Sequence, residues 1–346
     1  MSDRKDSIKT KGKEQNVKTD NRLLFALYFL LFSFLFYVGC NHQQQKAVDL
    51  YVEAVMLTEF DEKEMAVEKL NSAVQLKKGF SLAYSLLGEL YHQLKDYEKS
   101  AASYEKATEL NPWSFGDYFN LGRVYQIMKK FALAVKAYAK ACEIKPNHLE
   151  AHINAAKSYY ELKDYNSALA YSARAEQIDP NVTDVQKLLG DIYESQKDYE
   201  QAIGSYKRAL EIDSNNPEIM ISLAVAYLRT DHNIVAKELL TSAIQIQPEN
   251  NTAYQYLGFC YLRLGDVDKS TENYSKAIEI NDMDWEAHRG LGVAYMMRAI
   301  DEDNKDETLK ARLKSKAVEQ WRLSLDIYPE QPRSERLLKL IQKYSE

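Results

Sequence analysis

From residue 47 to the C-terminus the chain alternates between apolar and polar positions with helical rather than strand spacing. The stretch Ser81–Ser114, SLAYSLLGELYHQLKDYEKSAASYEKATELNPWS, holds two such amphipathic patterns, a polar turn between them and a proline near its end. It predicts two antiparallel helices joined by a short turn. The same block returns every 34 residues, a period that marks a stack of helical units rather than a set of independent domains.

With Ser81 as position 1, three positions are small in all eight copies: Gly or Ala at 8, Ala or Ser at 20, Ala or Ser at 27. Position 11 is Leu57 in the first copy and Tyr in the other seven, from Tyr91 to Tyr295. Proline occupies position 32 in Pro112, Pro146, Pro180, Pro248 and Pro329. Two helices approach closely only where side chains are small, so positions 8, 20 and 27 predict the helix crossings. Tyr at position 11 is expected to fill the space beside them, its hydroxyl reaching water or a carbonyl. Pro at position 32 is expected to stop the second helix and stiffen the turn into the next copy.

The copies run 47–80, 81–114, 115–148, 149–182, 183–216, 217–250, 251–284 and 285–331. The first carries Glu53 and Lys78 at usually apolar and proline positions, as a capping copy would. The fifth has Ser214 at position 32, with Pro217 three residues on. The eighth carries thirteen extra residues between its helices, 301–313, whose acidic start DEDNKDE predicts a solvated loop. The segment 332–346, with SERLLKLIQKY at 334–344, predicts a final helix covering the last apolar face.

The beginning of the chain is different. Residues 1–22 are polar and basic, and Leu23–Val38 is sixteen residues without a charge. As a helix that run spans about 24 Å, short of a hydrocarbon core of about 30 Å but suited to a signal sequence. Basic residues precede it and few follow, which orients the remainder across the membrane. The end of the run, Tyr37-Val38-Gly39-Cys40, resembles a bacterial lipobox in which Cys40 would be acylated and become the new N-terminus. Tyr37 departs from the Leu usual there. An uncleaved signal anchor is the other reading of 23–40, and residues 41–46 then serve as a polar tether. Asn41 after Cys40, by resemblance to Gram-negative sorting, favours the outer membrane.

Composition agrees with continuous helix: Gly is 12 and Pro 7, both low, against 25 Tyr. The formal charge is −6, and removing the basic leader leaves −9, a poor match to nucleic acid. The three cysteines, Cys40, Cys142 and Cys260, form no metal or disulfide pattern. No nucleophile–base order, HExxH or glycine-rich phosphate loop is present, so neither an enzyme nor a cofactor is expected. His148 and His152 are spaced for one helix face, but His152 fills a slot held elsewhere by Tyr84, Tyr118 and Tyr254 and reads as core.

The small residues at 8, 20 and 27, Tyr at 11 and Pro at 32 together resemble the tetratricopeptide repeat (TPR). That resemblance implies an all-α, right-handed superhelical solenoid of about eight helix-turn-helix repeats with a C-terminal capping helix. It also implies that first-helix positions 2, 5, 6, 9, 12 and 13 face a concave groove. In repeats 3 and 4 those positions hold Asn120 and Arg123, then Asn154 and Lys157, an arrangement similar to the asparagine ladder that grips a peptide backbone. In repeats 6 to 8 they turn apolar: Ile221, Val225 and Leu228; Tyr256, Phe259 and Leu262; Val293, Met296 and Met297. Arg229 and Arg263 stand beside them at position 13. Packing beneath the insert or the final helix is the competing reading of this strip. The chain is similar to bacterial TPR lipoproteins of the cell envelope. A membrane-tethered, extracytoplasmic adaptor that holds a peptide or helix of a protein partner is therefore expected. The alternative is an accessory component of a transporter that carries a small apolar molecule.

Overall fold

The computed structural model describes residues 42–301 and 306–345. The basic leader, the apolar run and Cys40 lie outside the described residues. Among those described, no helix is long and apolar enough to cross a membrane. Backbone proximity divides the chain into two compact units, 1–120 and 121–346.

The described part of the first unit contains α1 (His42–Glu59), α2 (Lys63–Leu76), α3 (Ser81–Gln93) and α4 (Tyr97–Leu110). Helix α5 (Phe115–Ile127) spans the division. The second unit continues with α6 (Phe131–Ile144), α7 (Leu149–Glu161), α8 (Tyr165–Ile178), α9 (Thr183–Ser195), α10 (Tyr199–Ile212) and α11 (Pro217–Arg229). It ends with α12 (Asn233–Ile246), α13 (Asn251–Leu264), α14 (Val267–Ile280), α15 (Trp285–Ile300), α16 (Glu307–Ile327) and α17 (Ser334–Tyr344). There is no strand among the described residues. Within each unit a helix packs on its successor in the antiparallel pairs of a TPR solenoid.

Every small residue at positions 8, 20 and 27 is buried. What presses on them differs from expectation. The aromatic ring that meets the position 8 glycine comes from position 24 of the second helix, not from position 11. A Cβ on Gly88, Gly122, Gly190, Gly258 or Gly292 would lie within 3.0 Å of Tyr104, Tyr138, Tyr206, Tyr274 or Trp321 respectively. These rings are at most 3 % exposed. In the other three repeats position 8 is Ala and position 24 is not aromatic: Ala54 with Leu70, Ala156 with Ser172, Ala224 with Leu240. Residue volume is thus exchanged between the two helices of one repeat, as close packing requires. The position 11 tyrosines are mostly half-buried. Their rings instead carry lysines of second helices, Lys99 Nζ lying 5.3 Å from the Tyr91 centroid and Lys269 Nζ 5.4 Å from that of Tyr261.

The turns repeat as faithfully as the helices. Position 15 is left-handed at Asp61, Lys95, Lys129, Lys163, Lys197, Asp231 and Gly265, with φ between 56° and 81°. Only the last is the residue type that takes this conformation without cost. The next residue caps the second helix in Asp96, Asp164, Asp198 and Asp266, each carboxylate accepting the N–H three residues on. Second helices end at position 30 whether or not proline follows: α10 stops at Ile212 before Ser214 as α4 stops at Leu110 before Pro112. Proline therefore stiffens this turn without being what ends the helix.

Two segments differ from the sequence expectation. Residues 42–46, read as a tether, already belong to α1. Residues 307–313 of the insertion are helical and extend α16, and α15 and α16 reach 16 and 21 residues where the α13 and α14 pair has 14 each. Leu313 of the extension is buried, and Asp306 caps α16 through the N–H groups of Thr308 and Leu309. In the first repeat, Glu53 is exposed and pairs with Lys69 at 2.6 Å, so its charge faces water as on a terminal repeat.

Candidate partner-binding groove

A concavity lies wholly in the second unit, between α11, α13, α15 and the final helix. It encloses about 950 Å³. Phe259 and Val293, 40 % and 37 % exposed, form its accessible apolar floor, with Tyr256, Leu262 and Leu340 half-buried around them. Buried Val225, Leu228 and Leu337 lie beneath.

The rest of the sequence-predicted strip has another place. Ile221 packs in the core formed with Leu240 and Leu257. Met296 lies under the final helix against Leu337 and Ile341. Met297 is exposed and does not line the cavity. The strip is therefore half core and half surface: Ile221, Val225 and Leu228 pack in the core of their own and the following repeat, and α17 covers Met296. That helix was expected only to cap the array. It also supplies one wall, through Arg333, Arg336, Leu337 and Leu340.

The approach to α17 is fixed by Gln331, 2 % exposed, whose Nε2 donates to the Ser324 carbonyl at 3.0 Å and lies within hydrogen-bond distance of the Tyr328 carbonyl. Arg333 then takes a left-handed backbone, φ 64°, which turns the chain into the helix. Arg289 donates to the Pro332 carbonyl and lies over the Trp285 ring, 4.7 Å from its centroid. Trp321 donates its indole N–H to the Arg289 carbonyl at 3.3 Å.

Charge on the lining is lopsided. Arg229, Arg263, Arg289, Arg333 and Arg336 face Glu286 as the sole carboxylate. Glu286 accepts from Gln255 Nε2 at 2.9 Å. Arg263 pairs with Asp231 and lies 5.8 Å from the Phe259 centroid. Burial, then the Glu286 carboxylate, holds the Tyr256 phenol above its ordinary range, so it stays a neutral donor at physiological pH. On the repeat before, the Tyr206 hydroxyl lies 2.8 Å from Asp191 Oδ1 and 3.1 Å from Glu194 Oε2. Burial raises Glu194, and Arg229 only partly offsets it.

The asparagine ladder is less distinct. Asn120, in the first unit, is half-buried. In the second unit Arg123 is exposed and Asn154 half-buried. Lys157 reaches Asp184 of the following repeat at 3.0 Å, so it braces neighbouring repeats rather than presenting a free cation.

His148, His152, Cys142 and Cys260 serve the scaffold. His148 Nδ1 accepts the Ala151 N–H as the cap of α7, and buried His152 places Nε2 3.0 Å from the Pro146 carbonyl. Burial keeps His152 below the usual imidazole range. Cys142 and Cys260 are free and buried; the Cys142 thiol is pushed up to about 11, and Cys260 donates to the Asn233 carbonyl. Among the described residues no three His, Cys, Asp or Glu side chains gather as a metal site would require.

A stack of helix pairs with an arginine-lined concavity is a helical-repeat scaffold. The particular repeat is the tetratricopeptide repeat, and the chain is a TPR protein. Tetratricopeptide repeat models match residues 81–114 and 127–192, and the TPR domain of cytochrome c-type biogenesis protein H matches 179–288. No curated protein sequence matches the chain. Among solved structures, the C-terminal part of a TPR protein from Cytophaga hutchinsonii is 19% identical, with a TM-score of 0.58 over 70% of this chain and 99% of that one. A tetratricopeptide repeat protein from Parabacteroides merdae is 15% identical, TM-score 0.51, over 72% and 99%. PilF of Pseudomonas aeruginosa is 22% identical, TM-score 0.50, over 60% and 94%. These likenesses concern the fold. The TPR architecture makes the protein a protein–protein interaction adaptor.

Proposed function

We propose that the adaptor captures a segment of a partner protein in the concavity between α11, α13, α15 and α17, while its N-terminal segment holds it at a bacterial membrane on the extracytoplasmic side. The observation that carries the first part is the accessible floor of Phe259 and Val293 inside a walled cavity of about 950 Å³. Large apolar side chains left in a concave, arginine-rimmed site are the anchors around which protein interfaces form. The second part rests on the charge-free run Leu23–Val38 ending at Cys40, with its basic leader. As a scaffold the chain would bring its partner to the membrane without chemical change.

A photoreactive residue placed at Phe259 in living cells tests the groove. A discrete protein adduct is expected there and not from the same group at Lys140, on the second helix of repeat 3. Adding Val293→Glu should remove the adduct, and equal labelling from both positions would refute the assignment. For the tether, Cys40→Ala should abolish lipid labelling and processing. Unchanged processing would remove the lipoprotein reading.

A further inference from the structure

We propose that the segment received by this cavity is acidic, with one or more apolar anchors, and that it lies with its carboxylates toward α15 and α17. The inference rests on the reading that the cavity binds a partner protein and adds the chemistry of what it binds.

The choice of cation is the first observation. The chain contains 13 arginines and 32 lysines, yet five arginines and no lysine line the cavity. Random use of a basic surface would favour lysine. Arginine is the side chain whose planar, weakly hydrated fork pairs a carboxylate through two hydrogen bonds while lying on apolar surface.

Net charge is the second. The protein as a whole is −6, so a lining of five arginines against Glu286 reverses the local sign. Compensation inside the protein is incomplete. Arg263 is satisfied by Asp231, but Arg229, Arg333 and Arg336 make no ion pair among the described residues. The positive field therefore stays available to a ligand, and the cavity wall around it strengthens it.

Distribution of the charge is the third. Arg289, Arg333 and Arg336 belong to α15 and the α17 end, and Phe259, Val293 and Leu340 lie among them. At the α11 and α13 side Arg263 is already paired with Asp231, and only Arg229 is left without an ion pair among the described residues. An acidic ligand is attracted more strongly at the α17 end, where three of the five arginines stand, and this gives it one preferred direction. Phosphate of a nucleic acid would satisfy the arginines equally. The apolar floor of Phe259 and Val293 favours the peptide.

The arginine at 333 has a further property. It occupies a left-handed backbone, φ 64°, that a glycine would take without strain. Arg333→Gly therefore removes the charge at no cost to the backbone.

The test is selection of random dodecapeptides on the immobilised full-length protein, with anisotropy measurements on the labelled winners. Selected peptides should carry net negative charge and at least one large apolar residue. Replacing their Asp and Glu by Asn and Gln should weaken binding about tenfold or more, and added salt should weaken it as well. Arg333→Gln with Arg336→Gln should do the same. Both side chains are exposed, so the fold should survive. Arg333→Gly relieves the backbone strain while removing the charge, and separates binding from stability should the double variant misfold. Winners with no charge bias, or basic winners, would overturn the acidic assignment while leaving the groove reading intact. Absence of any winner together with absence of the Phe259 adduct would overturn both. A single-stranded oligonucleotide binding more tightly than the acidic winners would also overturn it, in favour of a phosphate ligand.

Discussion

Gly122→Ala tests whether the contact between positions 8 and 24 controls the packing of a repeat. In an exposed helix interior this exchange stabilises by about 1 kcal/mol, because alanine loses less backbone entropy and covers the helix better. Here the new Cβ would stand 2.6 Å from a ring carbon of Tyr138, where ordinary contact begins near 3.4 Å, so the ring must retreat by about 0.8 Å. Tyr138 is fully buried, and its hydroxyl donates to Gln126 at 2.9 Å. Retreat of a locked ring falls at the upper part of the 1–3 kcal/mol range for overpacking, and the net loss is about 1–2 kcal/mol. Tyr138→Leu removes the ring and reproduces at position 24 the Leu70 and Leu240 that accompany Ala54 and Ala224. In that background Gly122→Ala should become neutral or stabilising, a coupling of about 2 kcal/mol between the two sites. Urea unfolding of the four proteins followed by circular dichroism, with hydrogen exchange resolved to repeat 3, measures it. Equal losses in both backgrounds would show that the ring and the glycine do not determine one another, and the packing argument would fail.

Two further outcomes follow from backbone and charge. Gly265 and Gly204 both have open space where a Cβ would go, but only Gly265 has positive φ. Gly265→Ala should lower stability by about 1 kcal/mol and Gly204→Ala, inside α10, should raise it by a similar amount; thermal melts of the two variants giving the same sign would contradict the turn geometry. Burial raises Glu194 above its free value of 4.5, so the native state holds this proton more firmly than the unfolded chain. Its contribution to stability is complete below the unfolded-chain value and is lost as pH rises through the folded one. Glu194→Gln should therefore flatten the fall in melting temperature from pH 4.5 upward, and an unchanged pH profile would exclude Glu194 as its source.

The repeats were legible because helix crossings leave a strict mark: positions 8, 20 and 27 tolerate only small residues, and a 34-residue period exposes them at once. The partner of position 8 was equally present in the sequence, since glycine there coincides with Tyr or Trp at position 24 and alanine with Leu or Ser. It was missed because invariance at position 11 draws attention from a position that varies in step with another. The left-handed turn was harder to see, as Lys95, Lys129, Lys163 and Lys197 are not residues that announce positive φ. The cavity was only partly readable. Groove positions known from a regular repeat pick out Val225, Phe259 and Val293, which line the concavity, but nothing in repeats 6 to 8 tells that α17 folds over Met296 and leaves Val293 open. Arg333 and Arg336 lie outside the repeat period, so periodicity carries no signal for them.

The double position of α17, sealing the last repeat and walling the cavity, links two equilibria. Among the described helices α17 packs chiefly on α16, and a helix held from one side opens more readily than one held from both. Each opening of α17 would remove two of the five arginines together with Leu340, so only the closed population is competent to bind. The observed dissociation constant is then the intrinsic one divided by that population, and whatever binds must in turn hold the last eleven-residue helix closed. Affinity can thus be adjusted at a site that makes little of the binding surface: a substitution on the far face of α17, at exposed Leu338, would act on the partner through the helix's own probability of being in place.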